Sequence, residues 1–415
     1  MERNVQRRHR KDLQKEEATT KFQDVSRGGY PTSRVARQMV LKEEAAFIQA
    51  LVKAVRNNPY PFRRGFTSLD STKTLVRDIK LIANSGFLKV DEGVKYTRDS
   101  FEDHTDRILS QWRWMGAVTD HQRMREISAL VMDVFQEPLR ARSRRKGCKS
   151  PVELWKEASD ETLRSFVRLM TRWTDHWPPF MDLNPCNFRF FCSRVFPYCA
   201  DFRGDLAHSV LDFAWRLQEE RTSRFNWVDP CAGWGCRLLA ATTSPFVNSY
   251  TGFDPNSALR EGHAQMAAVT TDGGQVQHTD LLVDIAGRFR VIYETWEEGN
   301  KRMPEDCCDL VFTSPPFWDK ELYHCKPQDA GRQASAAYED MGDFCKGFVD
   351  SLVKDSARLL CSGGVLALHI PADGEIDQKA FRVADDCGLR KVGVVGARAR
   401  GTKTKMRPVF VWIKP

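Results

Sequence analysis

Short apolar runs alternate with amphipathic stretches through the second half of the chain. Strands are predicted at residues 225–228, 250–253, 275–280, 310–313 and 364–370, with a helix at about residues 342–360 before the last of them. This alternation predicts a parallel sheet with helices on both faces. Two more strands are predicted at residues 389–395 and 409–413. The loop joining these two is too short for a crossover helix, so the last strand must be antiparallel.

The first half of the chain has a different pattern. Residues 1–20 are polar and charged without periodicity, which predicts a disordered tail. Apolar residues then recur at helical spacing, most clearly over residues 36–56, and helical patterns continue to about residue 173. The predicted domains are therefore a basic tail (1–20), a mainly helical domain (21–175) and an α/β domain (176–415).

Charge is divided unevenly between the two halves. Residues 1–150 carry 31 Lys and Arg against 19 Asp and Glu, and residues 151–415 carry 32 against 36, which together give the net charge of +8. A basic half on a near-neutral half favours a polyanion-binding module, and the alternative is an arginine-rich solvated helical surface. The basic segment at residues 140–151 is interpreted equally well as a phosphate contact or nuclear-import signal and as a solvated hinge.

Several classes of protein are disfavoured. The 12 cysteines include no Cys-x-x-Cys pair, so they are interpreted as reduced thiols, and no zinc site is predicted. No apolar run approaches the length of a membrane span, and the first 20 residues lack the apolar core of a signal peptide. An intracellular protein of the nucleus or cytoplasm, without metal or membrane partner, is expected.

A glycine-containing turn follows the first predicted strand of the α/β region. It reads Asp229-Pro230-Cys231-Ala232-Gly233-Trp234-Gly235 and precedes a predicted helix. Glycines at such a turn let the backbone approach a ligand closely. Asp254 ends the next strand, 19 residues past Gly235, where an acidic residue usually binds ribose hydroxyls. Position 238 is Leu, so the full dinucleotide fingerprint is absent, which favours a nucleoside ligand without pyrophosphate.

A second turn, Ser314-Pro315-Pro316-Phe317, follows the apolar run at residues 310–312. Two consecutive prolines remove two backbone donors and fix two φ angles, so no regular element continues through them. The turn offers a rigid carbonyl and a side-chain oxygen beside an aromatic ring. That combination suits a planar heterocyclic amine.

Together these motifs resemble the S-adenosylmethionine-dependent methyltransferases that modify exocyclic amino groups of nucleic-acid bases. The family's nucleoside motif, Asp-Pro-x-x-Gly-x-Gly, is matched from Asp229 to Gly235, and its catalytic motif, Asp/Asn/Ser-Pro-Pro-aromatic, from Ser314 to Phe317. The longer strings around both motifs are similar to phage and large-virus DNA methylase-like proteins. The resemblance covers residues 185–415 and includes residues 187–189, which look like the family's segment over the methionine end of the cofactor.

The resemblance implies a Rossmann-like seven-stranded sheet with an antiparallel last strand, and specific roles for the matched residues. S-adenosylmethionine would be bound by Asp229, Pro230, Ala232, Gly233, Gly235, Asp254 and Asp280, the last of these through the adenine amine or else acting as a helix cap. Ser314, Pro315, Pro316 and Phe317 would be catalytic. Ser at position 314 is more typical of cytosine than of adenine methylation, so cytosine N4 and adenine N6 both stay open.

The polymer and the assembly are also left open. Arg398, Arg400, Lys403, Lys405 and Arg407 lie around the loop before the last strand and are predicted to track phosphates, with a solvated hairpin tip as the alternative. The predicted function is base-amino methylation, with DNA favoured slightly over RNA. The alternatives are methylation of an RNA cap or internal adenosine, a catalytically silent nucleic-acid-binding subunit, and methylation of a protein glutamine amide. The sequence allows a homodimer or a heterodimer and does not fix the oligomeric state.

Overall fold

The structure is a computed structural model of the 415-residue chain. It describes residues 57, 59–62, 67–95, 111–157, 159, 161–162, 192, 196–218, 223–271, 273–372, 374–398 and 406–415. The chain divides into two compact units. Unit 1 comprises Met1–Thr67 and Arg140–Cys199, and unit 2 comprises Ser68–Leu139 and Ala200–Pro415. This division differs from the predicted boundary at residue 176, since residues 68–139 belong with the α/β region.

The described part of unit 1 is small. It contains the two-residue strand Arg144–Arg145 and the helix Pro151–Lys156. The helix begins with a capping box, in which Ser150 and Glu153 satisfy each other's backbone N–H groups. Trp155 is buried and meets the ring of Tyr60 edge-on at 5.8 Å. The predicted tail and the predicted helix at residues 36–56 lie outside the described residues.

Unit 2 is built on a mixed sheet of eleven strands. In chain order, and counting Arg144–Arg145 as β3 and the short strand Glu321–Leu322 as β10, the strands are β1 Val90–Asp91, β2 Trp114–Val118, β4 Phe225–Asp229, β5 Val247–Phe253, β6 Val276–His278, β7 Leu282–Ile285, β8 Phe289–Ile292, β9 Cys308–Thr313, β11 Leu360–His369, β12 Arg390–Arg398 and β13 Met406–Ile413. Their order across the sheet is β1-β2-β12-β13-β11-β9-β4-β5-β8-β7-β6.

Seven of these strands form the predicted Rossmann-like core, from β12 to β8. Strands β11, β9, β4, β5 and β8 are parallel to one another, and β13 is antiparallel to both β11 and β12. The predicted α/β class and the antiparallel last strand are therefore confirmed. The third strand was predicted wrongly. Residues 276–278 form an outer strand antiparallel to β7, and the strand parallel to β5 is Phe289–Ile292.

The sheet continues past the core at both edges. On one side, β2 lies parallel to β12, with Val395 opposite Gly116. On the other, β6 and β7 complete an antiparallel run with β8. The helix Gln122–Arg140 follows β2, and its Gln136 amide donates a hydrogen bond to the Leu259 carbonyl at 3.0 Å. These contacts tie residues 68–139 to the sheet.

Helices and a large aromatic core support the sheet of unit 2. The helices, beside Gln122–Arg140, are Leu69–Ala83, Gly204–Arg216, Cys236–Thr243, Arg260–Thr270, Trp296–Gly299, Ala334–Ala337, Met341–Phe344, Asp350–Leu359 and Ile376–Asp386. Trp112, Phe381, Phe410 and Trp412 are buried with ring centroids 4.8 to 6.3 Å apart, an arrangement that adds aromatic contacts to the hydrophobic burial. Among the residues that the structure describes, no helix combines the length and apolarity needed to cross a membrane.

Candidate active site

The glycine turn (residues 229–235) and the proline turn (residues 314–317) begin at the same edge of the sheet. Strands β4 and β9 are parallel neighbours, with Val228 opposite Val311, so their carboxyl ends lie side by side. Thr313, the last residue of β9, donates a hydrogen bond from Oγ1 to Asp229 Oδ1 at 2.7 Å. Asp229 opens the first motif, and Thr313 immediately precedes the second. One buried hydrogen bond therefore joins the starts of the two motifs.

Asp229 is fully buried, and both of its carboxylate oxygens are occupied. Besides Thr313, its oxygens accept hydrogen bonds from Arg237 Nε at 2.8 Å and from the Tyr250 hydroxyl at 2.7 Å. The backbone N–H of Cys231 is a further donor at 3.2 Å. Arg237 also donates to the Cys231 carbonyl across the turn. The carboxylate thus fixes the shape of the turn by bonds within the protein.

The two glycines of the first turn adopt backbone conformations that other residues disfavour. Gly233 has φ of 57°, and Gly235 has φ of 90° where it caps the helix Cys236–Thr243. A Cβ at Gly235 would lie 2.9 Å from His263 Cδ2. His263 in turn donates from Nε2 to the Gly233 carbonyl at 3.0 Å and accepts at Nδ1 from the Tyr293 hydroxyl at 3.0 Å. Burial lowers the pKa of His263 to about 4, so this ring is neutral at pH 7.

Asp254 lies directly after β5 and touches the glycine turn. Its Oδ2 accepts from the Gly233 N–H at 2.9 Å, and its Oδ1 accepts from the Asn256 N–H at 2.9 Å. Burial raises the pKa of the carboxyl to about 6 even though both N–H donors lower it. The residue is half-buried, and each carboxylate oxygen keeps a lone pair for a further donor.

The proline turn places a half-buried serine beside a buried histidine. Ser314 Oγ lies 3.1 Å from Nδ1 of His369, the last residue of β11. Pro315 is buried, whereas Pro316 and Phe317 are partly exposed. The Lys320 ammonium lies 5.5 Å from the Phe317 ring centroid. Trp318, the residue after Phe317, has φ of 53°, which turns the chain sharply away from the motif.

The segment after the proline turn, residues 318–333, forms hydrogen bonds with the residues that follow β5, close to the glycine turn. The His324 carbonyl accepts from Asn256 Nδ2 at 3.0 Å, and Asp329 accepts from both the backbone N–H and the hydroxyl of Ser257. Tyr323 meets Trp234 edge-on at 5.6 Å, and Trp234 is itself buried. This segment therefore borders the space between Asp254 and the proline turn.

The remaining residues that were predicted to bind the cofactor or nucleic acid lie in different environments. Pro230 and Ala232 are buried within the turn, where the Ala232 N–H donates to the Phe253 carbonyl at 2.7 Å. The Asp280 side chain is 98% exposed and pairs with Arg260 at 2.6 Å, and it does not end a strand parallel to β5. Arg407 is exposed near the start of β13. Arg400, Lys403, Lys405, the side chain of Arg398 and residues 187–189 lie outside what the structure describes.

Several residues of the site were not predicted from the sequence. They are Thr313, Arg237, Tyr250, His263 and His369. Thr313 and Arg237 flank the two motifs, so proximity in sequence was the only signal for them. Tyr250 and His369 lie on other strands and His263 on the helix Arg260–Thr270, and only the three-dimensional fold brings them to this edge.

No family model and no curated protein matches the chain. Solved structures that match in part include TrmN from Thermus thermophilus, with 15% identity, 52% of this chain, 49% of that chain and a TM-score of 0.34. Precorrin-6y C5,15-methyltransferase from Geobacter metallireducens matches with 14% identity, 50% of this chain, 89% of that chain and a TM-score of 0.31. A geranyl diphosphate methyltransferase in complex with SAM matches with 12% identity, 51% of this chain, 88% of that chain and a TM-score of 0.30.

Proposed function

We propose that the protein is an S-adenosylmethionine-dependent methyltransferase that methylates the exocyclic amino group of a nucleic-acid base, either cytosine N4 or adenine N6, with DNA favoured over RNA. The observation that most supports this proposal is the hydrogen bond between Thr313 and Asp229, because it holds a nucleoside-type turn next to an amine-type turn. Methyl transfer needs a donor and an acceptor side by side in this way.

The glycine side of the edge fits the cofactor. At Gly233 the only atom within 4 Å of where a Cβ would lie is the Cys231 carbonyl oxygen at 3.9 Å, so the backbone there is open to a close neighbour. Asp254 offers carboxylate oxygens where ribose hydroxyls would be bound. When bound, S-adenosylmethionine supplies a methyl group on a sulfonium sulfur, which keeps the electron pair of the broken C–S bond.

The proline side fits the amine. Ser314 Oγ and the Pro315 carbonyl are acceptors for the two N–H groups of an exocyclic amine, and their hydrogen bonds make its lone pair more available to the methyl carbon. Phe317, partly exposed, can stack on the base. The nitrogen forms the new N–C bond and releases one proton to water. A duplex base must leave its stack to reach this position.

Basic residues near the same edge support a nucleic-acid substrate. Arg407 lies two residues before Val409. Val409 is paired with His369, which lies at the sheet edge where the two turns begin. The sequence places four more cations between Arg398 and Lys405. A flipped base brings its neighbouring phosphates to the rim of the pocket, where such cations would bind them.

One experiment tests the proposed function. The protein is incubated with S-adenosylmethionine carrying a labelled methyl group and with duplex DNA, single-stranded DNA and RNA of mixed sequence, and modified nucleosides are identified by mass spectrometry. N4-methylcytosine or N6-methyladenine in DNA supports the proposal in full. Label only in RNA contradicts the favoured polymer. Label in none of the nucleic acids contradicts the proposed activity.

The raised pKa of Asp254 predicts a pH-dependent cofactor affinity. The ionised carboxylate is the better acceptor for ribose hydroxyls, and its pKa is about 6, so binding should be constant above pH 7 and weaken as the pH falls through 6. At pH 5 about one carboxyl in ten is ionised, which predicts about tenfold weaker binding than at pH 8. Isothermal titration calorimetry at several pH values measures this.

The control for this prediction is Asp254→Asn, which should bind the cofactor weakly and equally at pH 5 and pH 8. Circular dichroism at pH 5 checks that the protein remains folded, because the buried His208 and His263, with pKa values of about 4, make unfolding easier below pH 6.5. Equal wild-type affinity at pH 5 and pH 8 in folded protein would refute the role of Asp254.

A further inference from the structure

His369 lies at the edge of the sheet where the glycine turn and the proline turn begin, although neither motif contains it. Leu368 is paired with Thr313 in the parallel register of β11 and β9, so His369 and Ser314 are the next residues on neighbouring strands. On its other side His369 is paired with Val409 of β13. Its Nδ1 lies 3.1 Å from Ser314 Oγ. The Phe202 ring meets the imidazole edge-on at 5.5 Å and helps to fix its orientation.

The surroundings of His369 are those of a neutral ring. It is 9% exposed, and burial together with the positive charges of Arg407, Arg237 and Arg203 lowers its pKa to about 3. The charged groups that shift its pKa are all arginines, with no carboxylate among them. Among the residues that the structure describes, no carboxylate forms a hydrogen bond with this imidazole, whereas the histidine of a nucleophilic triad is oriented by one.

Serine poses a problem as an amine acceptor that Asp and Asn do not. A carboxylate or amide oxygen only accepts, whereas a hydroxyl carries one hydrogen and two lone pairs and can rotate. If the Ser314 hydrogen pointed at the acceptor nitrogen, it would compete for the lone pair that must attack the methyl carbon. A fixed acceptor for this hydrogen removes the competition.

We propose that His369 is the positioning residue for Ser314: its Nδ1 accepts the serine hydroxyl hydrogen, so that both Oγ lone pairs face the substrate amine. This inference rests on the proposed function and extends it to a residue outside both motifs. The imidazole hydrogen then resides on Nε2. His369 exchanges no proton with the substrate and acts through the orientation of Ser314 alone.

The first test is a double-mutant cycle with His369→Phe, Ser314→Ala and the double variant. His369→Phe keeps an apolar ring but removes the acceptor, and it should lower kcat about tenfold, the effect of one lost hydrogen bond. The KM for nucleic acid and the affinity for S-adenosylmethionine should not change. In the Ser314→Ala background, His369→Phe should have no further effect on kcat, because the hydroxyl that it orients is absent.

A conservative variant and an unfolding measurement guard against a merely structural effect. In His369→Asn the side-chain oxygen can take the place of Nδ1, so this variant should regain most of the kcat lost in His369→Phe. Thermal unfolding of each variant is measured in parallel. A tenfold loss that persists in the Ser314→Ala background, or that follows the loss of stability without rescue by Asn, would overturn the proposal.

The second test needs no activity. Nitrogen-15 NMR of the labelled imidazole should show a non-protonated Nδ1 and a protonated Nε2 in the wild type, and the Nδ1 resonance should shift in Ser314→Ala. A hydrogen on Nδ1 would refute the positioning role whatever the activity. A wild-type protein with the expected tautomer that methylates no nucleic acid would instead refute the proposed function.

Discussion

Replacing Ser314 by alanine should lower kcat by about two to three orders of magnitude, the usual effect of removing one preorganised group that stabilises transition-state charge. The acceptor nitrogen gains positive character as the new bond forms, and Ser314 Oγ is the side-chain acceptor of the proline turn. Cofactor affinity should be unchanged, because the bonds between Asp254, Gly233 and Asn256 do not involve Ser314. Single-turnover rates and calorimetry measure the two quantities separately.

The matched control for this prediction is Ser244→Ala. Ser244 is also half-buried, but it precedes β5 at the opposite edge of the sheet, where its hydroxyl accepts from the Phe246 N–H. Its rate should change less than twofold. A Ser314→Ala enzyme with more than a fifth of wild-type kcat would show that the serine is not an important acceptor. Loss of cofactor binding in that variant would show that its role is structural.

The sequence predicted the centre of the sheet better than its edges. Strands β9 and β11 contain the continuous apolar runs 310–312 and 365–368, which are buried on both faces and visible without a structure. Strands β4 and β5 mix apolar with polar residues and were recognised by the motifs that follow them. Residues 276–278 and 289–292 are both short and moderately apolar, so the pattern alone could not tell which one pairs with β5. The antiparallel β7–β8 hairpin decides this, because it places Phe289–Ile292 next to β5.

The sequence also did not predict that residues 68–139 belong with the α/β region, because the pairing that places them there is not local. Their link to the sheet is the five-residue strand Trp114–Val118, which pairs with a strand almost 280 residues later in the chain. A pairing over that distance leaves no local signal. The strand is also followed at once by the long helix Gln122–Arg140, which dominates the periodicity of the region.

For the site, the sequence predicted the positions of the two turns but not the bonds between them. Residues at the carboxyl ends of adjacent parallel strands must share an edge, so Asp229, Asp254 and Ser314 could be grouped in advance. Their partners Thr313, Tyr250 and His369 are ordinary strand residues until the register of the strands is known. Asp229 illustrates the difference, since it was predicted to bind the cofactor and the structure shows its oxygens occupied by protein donors.

Asp229→Ala should accordingly have its largest effect on stability, lowering the free energy of unfolding by about 3–5 kcal/mol, the usual cost of removing one partner of a buried ion pair. Arg237 is 4% exposed and would keep an uncompensated charge. The buried hydroxyls of Tyr250 and Thr313 would lose their acceptor as well. Urea unfolding followed by tryptophan fluorescence, with Trp227 two residues before Asp229 in the same strand, measures the change.

Two comparison variants separate the buried pair from ion pairs in general. Asp385→Ala removes the partner of Lys391 in an exposed pair at 2.9 Å, and it should cost less than about 1 kcal/mol. Asp229→Ala combined with Arg237→Leu should recover much of the stability lost in the single variant, because no buried charge is then left unpaired. A loss below about 1 kcal/mol for Asp229→Ala would mean that water or another group compensates Arg237, and the alignment of the two motifs would then not depend on this carboxylate. If the double variant is stable but neither binds S-adenosylmethionine nor transfers methyl groups, the network serves the site by aligning the two turns as well as by stabilising the fold.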